Sequence, residues 1–93
     1  MKLPIARFKV VGNSMMPTLK PGQDLISFNW FINPKIGDLV VVQVGGKEMI
    51  KRVHYIHGRE VIVQGDNLLE STDSRHFGAV NIDQVVGKVI YHS

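Results

Sequence analysis

"LVVVQVGGKEMIKRVHYIHGREVIVQ", residues 39 to 64, is the stretch whose reading decides the fold. Three runs rich in Val, Ile and Tyr are separated by "GGK" at 45 to 47 and "HGR" at 57 to 59, glycine-bearing turns of the kind that join adjacent antiparallel strands. The reading is therefore three consecutive strands, near 38 to 44, 47 to 56 and 59 to 64. Working outward, further strands fall near residues 7 to 11, 24 to 31 and 84 to 91, and "NPKIGD" at 33 to 38 is a longer connection. No segment sustains the 3.6-residue period of an amphipathic helix, and no repeat is present. The expected fold class is mostly β, a single small coiled antiparallel β domain spanning residues 1–93.

Composition narrows the function. With 93 residues the chain is long enough for one core. It has no cysteine, which excludes disulfides and thiol chemistry. Eleven Lys and Arg against eight Asp and Glu give a net charge of +3, but the basic residues are spread along the chain, so no nucleic-acid partner is expected. The first residues, "MKLPIARFKVV", are broken by Pro4, Arg7 and Lys9 and make neither a signal peptide nor a spanning helix. The expectation is a cytoplasmic protein with at most peripheral membrane contact.

Two places stand out as chemistry. "GNSMMPTLKPG", residues 12 to 22, sets Ser14 in a turn closed by Pro17 and Pro21-Gly22. A serine there either makes local turn bonds or is held out as a nucleophile, and the local sequence favours the first. On the strand "EMIKRVHYI", residues 48 to 56, side chains alternate, so Met49, Lys51, Val53 and Tyr55 share one face while Ile50, Arg52, His54 and Ile56 share the other. Lys51 thus stands among apolar neighbours. It either snorkels to water or is desolvated.

The difference has chemical weight. An ordinary lysine is neutral about once in 2,500 molecules at pH 7, roughly 4.6 kcal/mol against the free base. Burial removes most of that obstacle, and a neutral lysine is a general base.

"GDNLLESTDSRHFG", residues 65 to 78, lacks strand alternation and reads as an ordered loop, with Asp66, Asp73 and Arg75 available as a charge-assisted clamp. The four histidines, His54, His57, His76 and His92, have no metal-ligand spacing, so neither a metal nor any other cofactor is expected.

"NSMMPTL" at 13 to 19, "IKRV" at 50 to 53 and "GDNLLESTDSRHFG" at 65 to 78, in this order, closely resemble the motifs of type I signal peptidases, serine endopeptidases with a Ser-Lys dyad. "PKIGDLVVV" at 34 to 42 and "VVGKVI" at 85 to 90 carry the resemblance over almost the whole chain. It implies the signal peptidase catalytic-core fold, with Ser14 as nucleophile and Lys51 as its general base. It further implies Ser71 as the hydroxyl that orients the lysine, and Asp73 and Arg75 as a supporting salt-bridge pair. The backbone N–H of Ser14 is the expected oxyanion donor. Met15, Met16, Phe28, Trp30 and Phe31 are candidates for the apolar walls of the substrate pocket, with core packing or surface contact with a membrane equally open for each.

Two departures from the family pattern bear on function. Gly12 stands where some members carry a second, hydroxyl oxyanion donor. Only "HYIHGREVIVQ" separates Val53 from Gly65, where typical bacterial members have a large insert, and Ser14 follows Met1 too closely for an amino-terminal anchor within this sequence. The chain is similar in this respect to small nickel-type superoxide dismutase maturation proteases. The expected partner is a protein precursor with an N-terminal leader, with the nickel superoxide dismutase precursor as the particular candidate. The alternatives are a general signal peptidase core acting on secreted precursors, and a non-catalytic peptide-binding module of the same fold.

Overall fold

The computed structural model describes residues 4–30, 32–67, 69 and 74–92. The strands are β1 (Ile5–Lys9), β2 (Asp24–Phe28), β3 (Leu39–Val44), β4 (Lys47–His57), β5 (Glu60–Gln64), β6 (Val80–Asn81) and β7 (Val85–His92). A four-residue helix, α1 (Ser74–Phe77), precedes β6, and a single 3-10 turn at Ile82–Gln84 leads into β7. All strand pairs are antiparallel, in one sheet ordered β1-β2-β7-β3-β4-β5-β6. The mostly β expectation holds. No helix among the described residues is long and apolar enough to cross a membrane.

The two hairpins read from residues 39 to 64 form as expected. Gly45 and Gly46 both have positive φ, +57° and +79°, the backbone that a tight turn between right-twisted strands demands. At the ends of the chain the sequence reading differs from the structure for local reasons. β1 leaves the sheet at Lys9, although Val10 still exchanges backbone bonds with Gln23 and Gly22, both at 2.9 Å. β6 is too short for any alternation to reveal. The start of β7 is displaced by a capped turn, in which Asn81 accepts from the Asp83 N–H and the Gln84 side chain accepts from the Asn81 N–H.

Both faces of the sheet are covered. Val40, Val42, Val53, Val61, Val63, Val80 and Val85 form one buried cluster, and Val10, Met15, Leu19 and Leu25 form another. β3 is therefore buried at three consecutive residues, Val40 to Val42, instead of alternating. β4 divides its side chains between the clusters, Met49 and Val53 to the first and Ile50 to the second. The alternation expected along β4 survives only to Val53. A bulge between Val53 and Tyr55 inserts one residue against β5, so Ile56 rejoins the first cluster and Tyr55 turns outward, 55% exposed.

Candidate active site

The turn that carries Ser14 is tied at its neck and anchored at its centre. The Val10–Gln23 and Gly22–Val10 backbone bonds close the neck. Inside, the Met16 N–H donates to the Asn13 carbonyl at 3.1 Å and the Leu19 N–H to the Met15 carbonyl at 2.9 Å. Met15 and Leu19 are fully buried beside Leu25, while Gly12 and Asn13 are exposed. Ser14 sits at the boundary, half-buried, and the bond between Met16 and Pro17 is cis. Buried Met15 and Leu19 thus anchor the turn on which Ser14 sits.

Lys51 is 2% exposed. Its cross-strand partner is Val40, so the two side chains share a face with Met49 and Val53. Of the two readings open in the sequence, desolvation is the one the fold adopts.

The two residues line one groove. It has a volume of about 450 Å³, with the end of β1 and the residues after it on one wall, Lys47 to Lys51 of β4 on the other, and Ser14 and Met15 between them. A second hollow of about 500 Å³ continues it along Ile5 to Phe8, sharing Phe8 and Glu48 with the first. Among the described residues β1 pairs only with β2, and Lys47 to Lys51 pair only with β3. Two unpaired strand edges therefore border the groove. The described residues include no hydrogen bond between the Ser14 hydroxyl and Lys51.

The loop after β5 grips the serine turn. Asp66 receives the Arg52 guanidinium in two parallel bonds, Nε to Oδ1 at 2.9 Å and Nη2 to Oδ2 at 2.8 Å, and also the hydroxyl of Thr18. The hydrogen bond from Arg52 holds the Asp66 carboxyl below the usual carboxylate range, helped by Thr18 and opposed by desolvation. The same bond raises the affinity of Arg52 for its proton. Arg52 also donates to the Gly37 carbonyl at 2.8 Å. Next along the chain, the Asn67 N–H donates to the Ser14 carbonyl at 2.8 Å, and Asn67 Nδ2 donates to the Asn13 carbonyl at 3.0 Å.

The structure thus brings Ser14, Lys51 and Met15 to one groove, whereas Met16 is not among its lining residues. Met15 belongs as much to the core as to the groove. Phe28 and Trp30 line neither hollow. Arg75 lies exposed on α1. Ser71, Asp73 and Phe31 lie outside the described residues. Sequence reasoning placed Asp66 in a clamp without its partner Arg52, and it missed Thr18 and Asn67. Arg52 carried one signal: a cation next to Lys51 on the opposite strand face must find its own partner.

Comparison with known proteins points the same way. The family model described as signal peptidase, peptidase S26, matches residues 2–67 and 54–92. Signal peptidase I of Bacillus caldolyticus is 30% identical over 139 aligned positions, which cover 90% of this chain and 76% of that protein. The aligned span is longer than the 93 residues here, so the relative carries additional residues within it.

Proposed function

Because this chain belongs to the signal peptidase family, peptidase S26, we propose that it is a serine endopeptidase in which Ser14 is the nucleophile and Lys51 the general base, and that it removes an N-terminal leader from a protein precursor. The observation that carries this reading is the shared groove: a half-exposed serine and a lysine buried to 2% exposure both line it, between two unpaired strand edges.

Those edges suit an extended peptide, which would add its own main-chain hydrogen bonds to either wall. Lys51 in its neutral form takes the proton from Ser14 Oγ as the oxygen attacks the scissile carbonyl carbon. The carbonyl oxygen becomes an oxyanion facing the Ser14 N–H. When the C–N bond breaks, the ammonium of Lys51 returns the proton to the leaving amine. A water then attacks the acyl-enzyme, gives its proton to Lys51, and releases the carboxylate with Ser14 restored. Desolvation favours a lysine that can begin this cycle uncharged. In the family resemblance Ser71 would orient Lys51, and Asp73 with Arg75 would support the loop.

For the precursor, the direct β4–β5 hairpin makes a compact core like that of the nickel superoxide dismutase maturation proteases, and that precursor is the first substrate to offer. The test is to incubate the protein with leader-bearing nickel superoxide dismutase precursor and, separately, with a secreted precursor carrying Ala-x-Ala before the scissile bond. Wild type should cut one of them, with Ser14→Ala and Lys51→Ala both inactive. Cleavage by either variant rejects the dyad. Binding of both precursors without cleavage by wild type selects the peptide-binding module instead.

A further inference from the structure

We propose that Asn67 is a positioning residue of the oxyanion hole, acting by holding the two peptide units that flank the Ser14 α-carbon. The inference rests on Ser14 being the nucleophile.

The Asn13 carbonyl and the Ser14 N–H belong to one planar trans peptide unit, so they point in opposite directions. Asn67 Nδ2, at 3.0 Å, and the Met16 N–H, at 3.1 Å, both donate to that carbonyl. Fixing the carbonyl fixes the amide, directing the Ser14 N–H away from Asn67. Asn13 and Ser14 line the groove and Asn67 does not. The following peptide unit is held too, by the Asn67 N–H on the Ser14 carbonyl at 2.8 Å. Among the described residues the Ser14 N–H has no protein acceptor of its own.

Two features make this grip consequential. Gly12, at φ +78°, is the freest backbone position next to the unit that must not rotate. It also offers no side-chain donor, so one backbone N–H carries a larger share of oxyanion stabilisation. Asn67 is itself stiffly placed, because the preceding Asp66 is fixed by Arg52 and Thr18. Only the NH2 end of its amide can serve a carbonyl, and this distinguishes asparagine from aspartate at the same shape.

The test compares wild type, Asn67→Ala and Asn67→Asp on a synthetic peptide spanning the bond that wild type cuts in whichever of the two precursors it cleaves, on the aldehyde of that peptide and on an uncleavable reduced-amide version. Loss of a whole oxyanion donor lowers kcat about 100- to 1,000-fold, so loss of its positioning should lower kcat roughly 10- to 100-fold with KM unchanged. Affinity for the aldehyde, which forms a tetrahedral adduct, should fall by the same factor, and affinity for the reduced amide should hold. Asn67→Asp keeps the backbone bond and the shape, and should show the same split if Asn67→Ala fails to fold. An unchanged kcat, or equal losses for aldehyde and reduced amide, overturns the proposal. Cleavage by Ser14→Ala, or no cleavage of either precursor by wild type, instead rejects the underlying peptidase reading.

Discussion

Arg52 and Asp66 meet side by side, Nε to Oδ1 at 2.9 Å and Nη2 to Oδ2 at 2.8 Å, one residue beyond Lys51 and one residue before Asn67. The strand bearing the buried lysine and the loop gripping the serine turn are therefore joined at adjacent positions. An ammonium cannot reproduce the two-point contact. Arg52→Lys should lose about 1–3 kcal/mol of stability by urea unfolding, and its kcat should fall more than its KM rises. Wild-type kcat in this variant would mean that the clamp does not set the site's geometry.

The same pair sets a pH dependence. The carboxyl of Asp66 lies below its ordinary range in the folded protein, first because of the Arg52 hydrogen bond. A group depressed on folding stabilises above its unfolded value, and that contribution is lost as pH falls through the lower native value. The difference in unfolding midpoint between wild type and Asp66→Asn should be largest at neutral pH and shrink below about pH 4. A difference that stays constant into acid would contradict this assignment.

Lys51 predicts a separation of stability from activity. At 2% exposure it shares its strand face with Val40, Met49 and Val53. Lys51→Met should abolish cleavage while the variant still unfolds in one cooperative transition at pH 7. In wild type, kcat/KM should fall as pH is lowered, because a protonated base cannot accept from Ser14. Collapse of the fold in Lys51→Met would assign the lysine a structural role.

Gly87 marks a close approach within the sheet. A Cβ there would lie 2.5 Å from Asn29 Oδ1 and 3.1 Å from the hydroxyl of Ser27, which itself is fully buried and bonded to Asn29 Oδ1 at 2.7 Å. Gly87→Ala should cost about 1–3 kcal/mol, seen as a lower thermal midpoint. The cost comes from overpacking between β2 and β7, since no positive φ is involved at this residue.

Much of the fold was legible because it is local. The paired glycines at 45 and 46 and the β-branched runs around them specify the hairpins without help from the rest of the chain. The bulge after Val53 was not legible: "RVHYIH" reads as continuous alternation, and the extra residue exists only relative to β5. β6 escaped for a similar reason, since its two residues become a strand only by lying against Glu60 and Val61.

The sequence by itself determined six of the seven described strands, the turn around Ser14 and, through its spaced motifs, the family to which the chain belongs. Tertiary structure decided whether Lys51 is wet or dry and which cation holds Asp66. Period-two alternation states which side chains share a face, but burial of that face depends on what packs over it from distant segments. Lys51 is dry because valines from β3, β5, β6 and β7 gather around its strand. Asp66 belongs to Arg52 because the β4–β5 hairpin folds back and brings residues 14 apart into contact.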